Sequence, residues 1–317
     1  MKISVAIAAY CGEKYIGEQL ASIAAQSRVP DEVVIGDDSP DDRMEKVIRD
    51  FSGMLNIRYF RNEFPLGAAA NFNRVLSEVA GDVVFLCDQD DLWYPAKVAE
   101  MSRVLAGGGL KGVFCDSTVT DAEAHPLGFS HFDSRGYSGL RKDPDRFLKN
   151  QFEASLRRFP AAGHDMALTG ELLEKLLPIP ELSNCHDNYL GVGGAALDAW
   201  ECIPKELGIF RRHEKSTSQA GKKLTLAAQL KAAKESIGKN TFAWNAVLFQ
   251  SVADRLPDLP AERRELLLSR VRHSRNREAM NTGFVRRAGL IWQEIRSGNY
   301  RRFGRGWKNV IQDLFLR

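Results

Sequence analysis

Over the first third of the chain, short runs of consecutive apolar residues alternate with longer segments in which apolar residues recur at helical spacing. The short runs are typical of buried strands, and the longer segments are typical of amphipathic helices. Strands are expected at residues 3–9, 31–36, 57–60, 82–86 and from 113–115 onward. Helices are expected at residues 13–25, 42–51, 68–79 and 95–105, the last with Pro95 in its first turn.

Strands separated by helices of this length predict βαβ units. The fold class is therefore expected to be α/β, with a Rossmann-like, mostly parallel sheet flanked by helices. Ligands bind such sheets outside the carboxyl ends of the strands. The chemistry of the protein is expected in the loops that follow the first, second and fourth strands.

The pattern weakens over residues 128–159, and strand and helix signals return up to His213. Beyond Lys222 the sequence is helical in pattern, with Pro257 and Pro260 between two expected helices. We place a domain boundary near Gly221. The expected domains are a ligand-binding and catalytic domain at 1–221 and a basic helical C-terminal region at 222–317.

The net charge of +3 conceals opposite charges in these two parts. Residues 1–221 carry 24 Lys and Arg against 33 Asp and Glu, and residues 222–317 carry 20 against 8. An acidic part suits cation binding, and a basic part suits an anionic partner such as a phosphate, an acidic protein or an anionic membrane. Nucleic acid is not expected as a partner.

The cysteines and the apolar runs of the sequence indicate where in the cell the protein is found. Five cysteines without a CxxC pair indicate reduced thiols and a cytoplasmic protein. The apolar run at the start is too short for a signal peptide, and no run is long enough to span a membrane. We expect a cytoplasmic location.

The fourth expected strand runs directly into Asp88, Gln89, Asp90 and Asp91. Carboxylates at positions i and i+2 of a strand end can reach one cation where the chain begins to turn, and hard oxygen ligands suit Mg²⁺ or Mn²⁺. Such an ion could bridge a diphosphate, because Mg²⁺ is commonly held by one or two carboxylates plus substrate phosphates. An acidic loop that caps the next helix is the alternative interpretation.

This acidic segment is part of one of several characteristic sequence blocks that follow one another along residues 1–221. The blocks are VAIAAY-x-GEKYIGEQLASI, DEVVIGDDSPDD, N-x-x-x-LG-x-x-x-NFN, GDVVFLCDQDDLWYPAKV, GHDMALTGELLEKLLPIP, HDNYL and GIFRRH. In this order the chain resembles the family-2 glycosyltransferases, which are inverting enzymes of the GT-A fold, and among them the bacterial rhamnosyltransferases of surface-polysaccharide assembly. Two positions depart from the family pattern: Ser39 stands where the family has a glycine, and Cys11 replaces a frequent asparagine.

The resemblance implies roles for particular residues. The implied donor-binding residues are Ala9, Tyr10, Glu13, Asp38, Asp88, Gln89, Arg211 and Arg212. The implied ligands of Mg²⁺ or Mn²⁺ are Asp88, Asp90 and His213, and the implied general base is Asp187. Alternatives stay open: ordinary packing for Tyr10, helix capping for Asp38 and Asp187, and a plain loop position for His213. His164 and Asp165 are left without a role.

The reaction that the resemblance implies is transfer of a sugar from a nucleoside-diphosphate sugar to a hydroxyl of a growing bacterial surface polysaccharide or a lipid-linked saccharide. A pyrimidine nucleotide is expected, with dTDP-rhamnose or a UDP-sugar as candidates. A metal-dependent nucleotidyltransferase and a non-catalytic assembly protein on the same fold are the alternatives.

Arginine pairs in the C-terminal region are interleaved with Trp, Leu and Ile. This pattern favours either a basic amphipathic surface against an anionic membrane or a helical domain packed on the catalytic core or on a second copy of the chain. The candidate locations therefore include the inner face of the cytoplasmic membrane.

Overall fold

The computed structural model describes residues 1–181, 186–213 and 241–315. Within these residues nine strands form one mixed sheet. The strands are β1 (Ile3–Ala9), β2 (Glu32–Asp37), β3 (Ile57–Arg61), β4 (Val83–Cys87), β5 (Leu92–Trp93), β6 (Gly112–Thr120), β7 (Pro126–Ser130), β8 (Met166–Thr169) and β9 (Trp200–Arg211).

Helices cover both faces of the sheet and form the C-terminal end of the described chain. In the first part of the chain they are α1 (Ile16–Ala24), α2 (Arg43–Arg49), α3 (Ala68–Glu78), α4 (Lys97–Leu105), α5 (His131–Arg135), α6 (Pro144–Leu148), α7 (Gln151–Ser155), α8 (Gly170–Leu176) and α9 (His186–Ala196). Near the C-terminus they are α10 (Thr241–Arg255), α11 (Ala261–Ala279), α12 (Phe284–Arg296), α13 (Asn299–Phe303) and α14 (Trp307–Phe315).

The order of the strands decides which loops meet. The sheet runs β3-β2-β1-β4-β8-β6-β9-β5, with β7 paired to β6. β1 to β4 pair in parallel, as predicted, whereas β8 lies antiparallel between β4 and β6. β9 is parallel to β6, so both run in the direction of β1. The carboxyl ends of β1, β2, β4 and β9 therefore lie at one edge of the sheet, with the amino end of β8.

Most of the predicted elements are present, with boundaries shifted by a few residues. The first helix begins at Ile16 rather than at residue 13, because the turn before it closes on the carbonyl oxygen of Gly12. The prediction that Pro95 lies in the first turn of α4 was wrong, since that helix begins at Lys97. The stretch of weak pattern contains β7 and the short helices α5 to α7, which are too brief to show a period.

Two apolar layers pack against the two faces of the sheet. Alternate residues of β2 face opposite sides, so Val33 and Ile35 join the layer under α1, α2 and α4, while Val34 joins the other layer. The second layer also contains Phe249 of α10 and Leu267 of α11. These two helices therefore share a core with one face of the sheet. They are separated where Pro257 and Pro260 predicted a break.

The last three helices have a small core of their own, built on Met280, Ile291, Tyr300 and Val310. Arg157 ties them to the rest of the molecule: its guanidinium donates to the carbonyl oxygens of Arg302 and Arg301, each at 2.8 Å. Among the described helices, none combines the length and the apolar character that a membrane crossing requires. The predicted boundary near Gly221 lies outside the described residues.

Candidate functional site

The loops after β1 and β4 are joined by the side chain of Gln89. The backbone amide of Tyr10 donates to Gln89 Oε1 at 2.9 Å, and Gln89 Nε2 donates to the carbonyl oxygen of Tyr10 at 3.0 Å. A Cβ atom at Gly12 would lie 2.2 Å from Gln89 Oε1, so a side chain at this position would displace the Gln89 amide from these two bonds. The Tyr10 side chain is 58% exposed, which excludes ordinary core packing and leaves its ring available to a ligand.

Asp38 fixes the loop after β2. Its backbone amide donates to the carbonyl oxygen of Ala9 at 2.9 Å. Its buried carboxylate accepts hydrogen bonds from Asn62 Nδ2 at 2.6 Å and from the Gly67 amide at 2.9 Å. Asp38 therefore does not cap α2, and each carboxylate oxygen keeps a lone pair for a further donor.

The other predicted donor-binding residues differ in their surroundings. Glu13 forms an ion pair with Arg43 of α2 at 2.6 Å. The guanidinium of Arg211 is buried, pairs with Glu18 and lies over the ring of Tyr15. Arg212 is half-buried, and its backbone amide donates to a carbonyl oxygen of β6.

The acidic loop after β4 meets two histidines that come from other strand ends. His213, which follows β9, lies with its Nε2 atom 2.7 Å from Asp90 Oδ2, although the two residues are 123 positions apart. His164, which precedes β8, lies with Nδ1 3.3 Å from Asp88 Oδ2 and 3.1 Å from Asp91 Oδ2. Five residues with a carboxylate or an imidazole therefore meet at this edge. Asp88, Asp90 and His213 were the predicted metal ligands, and Asp91 and His164 lie beside them.

The electrostatics of this loop fit a cation. Burial raises the pKa of Asp90, and the charge of Asp88 raises it further. Burial also raises the pKa of Asp91 well above its usual range, and the one close contact given above for its buried Oδ2 atom is the ion pair with His164. Carboxylate oxygens with imidazole nitrogens are a donor set that suits Mn²⁺ or Mg²⁺. A bound cation would relieve the repulsion among these carboxylates.

A buried chain of polar side chains runs from this loop to the predicted base. His164 Nε2 lies 3.1 Å from Asp165 Oδ2, and that oxygen is 2.9 Å from His131 Nδ1. Arg135 Nε donates to His131 Nε2 at 3.0 Å. We call the chain from Asp88 through these four residues to Asp187 the buried polar chain.

Asp187 ends the buried polar chain in the first turn of α9. Its Oδ2 atom lies 3.4 Å from Arg135 Nη2, and its Oδ1 atom accepts from the amide of Asn188 at 2.7 Å. The helix begins at His186, so Asp187 is not its N-cap. The chain of contacts connects Asp187 to the acidic loop, and the Ala9, Tyr10 and Gln89 contacts connect that loop to Asp38.

The hydrogen bonds fix the charges inside the buried polar chain. Burial lowers the pKa of His131 to about 4, despite its bond to Asp165. The neutral imidazole therefore donates to Asp165 through Nδ1 and accepts from Arg135 through Nε2. Burial opposes the charge on Asp165, but the positive charge of His164 outweighs it and holds the pKa of Asp165 well below its usual range. Lys97, also buried, lies 3.8 Å from Asp165 Oδ1.

The sequence pattern did not identify His131 or Arg135, which lie in a five-residue helix within the stretch of weak pattern. The adjacent pair His164–Asp165 was noted without a role. A signal was present, because two ionisable residues directly before a buried strand need partners. Trp93 is only 4% exposed and packs against Phe85, so it is a core aromatic residue.

Comparison with known proteins gives one matching family model, described as glycosyl transferase family 2, over residues 4–163. Among curated relatives, the dTDP-rhamnosyl transferase RfbG of Shigella flexneri is 35% identical over 99 residues, which cover 29% of this chain and 34% of the relative. The curated relatives that the chain matches are covered over about a third to a half of their own length.

Solved structures resemble the chain over nearly its whole length. Staphylococcus aureus TarS 1–349 in complex with UDP-GlcNAc has a TM-score of 0.55 and 14% identity, covering 100% of this chain and 90% of that one. The mannosyltransferase PcManGT of Pyrobaculum calidifontis, in complex with GDP-Man and Mn²⁺, has a TM-score of 0.54 and 17% identity, covering 99% of this chain and 84% of that one. At these identities the likeness concerns the fold.

Proposed function

The chain belongs to glycosyl transferase family 2 and has the GT-A fold with C-terminal helices, and from this premise we propose that it transfers a sugar from a nucleoside-diphosphate sugar to an acceptor hydroxyl with inversion at the anomeric carbon. The observation that carries the proposal is the meeting of Asp90 and His213 beside Asp88 at the carboxyl edge of the sheet. A parallel sheet binds its ligands at this edge.

The proposed metal ligands are Asp88, Asp90 and His213. Bound there, Mg²⁺ or Mn²⁺ would stabilise the charge that develops on the departing nucleoside diphosphate. The surrounding residues hold these ligands in place: His164 contacts Asp88, and the ring of Tyr15 stacks on His213 with centroids 4.9 Å apart.

The donor nucleotide is proposed to lie over the loops after β1 and β2, against Tyr10 and Asp38, with Glu13 supporting the pocket. Gln89 fixes the backbone of Tyr10 from the acidic loop, so the base pocket and the metal ligands keep a constant spacing. Arg211 is the last residue of β9 and Arg212 follows it at the same edge, where guanidinium groups can bind a diphosphate.

Asp187 is proposed to remove the proton from the acceptor hydroxyl as that oxygen attacks the anomeric carbon. The contacts from Arg135 and from the Asn188 amide fix the orientation of its carboxylate. Attack from the side opposite to the leaving diphosphate inverts the configuration. The acceptor site therefore lies between Asp187 and the donor sugar.

For the donor we propose a pyrimidine nucleotide, with dTDP-rhamnose or a UDP-sugar as the first candidates, in line with the RfbG and TarS names and titles. For the acceptor we propose a hydroxyl of a surface polysaccharide or of a lipid-linked saccharide, reached at the cytoplasmic face of a membrane. Residues 1–221 would hold the catalytic domain, and residues 222–317 would form the basic helical region.

Replacement of the base tests the mechanism. Asp187→Asn keeps the size of the side chain but cannot accept the proton, so kcat should fall by about 10²–10⁴-fold while the Kd of the donor stays the same. The assay measures release of nucleoside diphosphate with a panel of donors, an acceptor extract and Mn²⁺. Asp50→Asn, which changes an exposed carboxylate at the C-terminal end of α2, is the matched control. Equal turnover in Asp187→Asn and the parent would remove Asp187 from this role.

Metal binding is tested without turnover. Calorimetric titration with Mn²⁺ should give saturable binding in the parent and a large loss of affinity in Asp90→Ala, because a direct ligand is removed. Asp50→Asn should bind as the parent does. Unchanged Mn²⁺ affinity in Asp90→Ala would contradict the assigned ligand set.

A further inference from the structure

The helices α12 and α14 carry apolar residues both on the side that faces the protein and on the side that faces solvent. Their inner sides, which include Ile291 and Val310, close the small C-terminal core. The outer side of α14 carries Trp307, Ile311 and Phe315 at i, i+4 and i+8, exposed by 70%, 57% and 74%. Residues at this spacing lie on one side of a helix.

The outer side of α12 repeats this arrangement. Val285 and Trp292, seven positions apart, are 85% and 62% exposed. Isolated exposed apolar residues are common, but several large ones on neighbouring helices mark a surface that contacts something apolar. No described residue covers these side chains.

The charges around these residues have a single sign. Over residues 282–315 the acidic residues are Glu294 and Asp313, and both are buried. Glu294 pairs with His273 and Asp313 pairs with Arg277. Over the same residues the exposed cations without an ion pair in the described chain are Arg286, Arg296, Arg301, Arg302, Arg305 and Lys308.

We propose that this surface binds an anionic lipid bilayer. We name it the basic apolar face and define it by Val285, Trp292, Arg296, Arg301, Arg302, Arg305, Trp307, Lys308, Ile311 and Phe315. Its apolar side chains would enter the boundary between headgroups and acyl chains, where tryptophan is favoured, and its cations would meet the anionic headgroups. The inference concerns a surface other than the catalytic edge and does not require the transfer reaction.

The composition of the face favours lipid over the other anionic or apolar partners. A second copy of this chain, joined by a two-fold contact, would oppose cations to cations. Nucleic acid would satisfy the cations but would leave Val285, Ile311 and Phe315 in water. A bilayer with anionic lipids satisfies both kinds of side chain at once.

Vesicle binding by the full chain, without donor or acceptor, tests the inference. The protein should sediment with vesicles of equimolar phosphatidylglycerol and phosphatidylcholine, and much less with phosphatidylcholine alone. Arg301→Gln/Arg302→Gln should weaken binding on the order of 30-fold, since each interfacial cation contributes about a factor of five. Trp307→Ser/Ile311→Ser should weaken binding to the anionic vesicles by on the order of tenfold or more.

The matched control removes the same amount of charge elsewhere. Arg49→Gln/Arg103→Gln changes two exposed arginines of α2 and α4 and should bind vesicles within about a factor of two of the parent. Equal loss in this control and in Arg301→Gln/Arg302→Gln would overturn the proposal, because binding would then follow net charge alone. Absence of binding to anionic vesicles, or self-association of the parent that the face variants abolish, would overturn it as well.

Discussion

The buried polar chain from Asp88 to Asp187 and the basic apolar face on α12 to α14 are both rich in charged and aromatic residues, but only the first pairs its charges. In the buried polar chain each ionised group lies within about 4 Å of a partner of opposite charge or of a hydrogen-bonding group. On the basic apolar face the cations point into solvent without carboxylates. Buried charges need partners inside the protein, whereas exposed charges of one sign are available to a partner outside it.

The largest difference between the two regions should come from neutralising Asp165. Asp165→Asn leaves Lys97 buried without its counter-charge and removes one of the three carboxylates around His164, so the free energy of unfolding should fall by about 3–5 kcal/mol. Urea unfolding measures this change. Asp50→Asn, which lies on the surface, should change stability by less than about 0.5 kcal/mol. A loss of that small size in Asp165→Asn would mean that the buried polar chain does not depend on its charges.

A smaller change is expected in the way the free energy of unfolding depends on pH. The pKa of His131 is about 4 in the folded protein against an ordinary value of 6.5, so between these values the unfolded chain binds a proton that the folded chain does not. The contribution of His131 to stability should therefore fall by up to about 3 kcal/mol as the pH drops from 6.5 to 4. The stability difference between the parent and His131→Gln, which can donate and accept the same hydrogen bonds, measures this contribution.

The control for this titration is His125→Gln, because the side chain of His125 is 76% exposed and its ring contacts Asp121 on the surface. This variant removes a histidine outside the buried polar chain and leaves that chain intact. A flat profile for His131→Gln would show that His131 titrates in the folded protein as it does in the unfolded chain.

The smallest change in the free energy of unfolding is expected for substitutions on the basic apolar face. Arg301→Gln/Arg302→Gln should change the free energy of unfolding by less than about 0.5 kcal/mol, because neither guanidinium contacts the protein interior. Arg157→Gln, which loses its bonds to the carbonyl oxygens of the same two residues, should cost about 1–3 kcal/mol. Thermal unfolding of both variants distinguishes surface charge from structural contact. Similar losses would show that Arg301 and Arg302 support the fold.

The parallel part of the sheet and the acidic loop could be predicted from the sequence, because β1, β2 and β4 are apolar runs that end directly in polar residues. The antiparallel β8 and the two-residue β5 could not, since their pairing partners are distant in sequence and the strands are too short to show a pattern. For the same reason the sequence pattern did not identify His131 and Arg135. Their importance lies in contacts with Asp165 and Asp187, which local sequence does not encode.

The connection of the last three helices to the rest of the molecule, through α13, has a consequence for the proposed acceptor. Arg157 joins the two parts through backbone carbonyls, and Arg270 of α11 donates to the carbonyl oxygen of Leu156 beside it. Bonds to the backbone hold the orientation of a helix more firmly than bonds between flexible side chains. If α12 and α14 rest on a bilayer, the height and tilt of Asp187 above the lipid are then set by the fold. For the proposed transfer reaction, acceptor saccharides whose reactive hydroxyl stands at that height would then be used, and shorter or longer ones of the same chemistry would not.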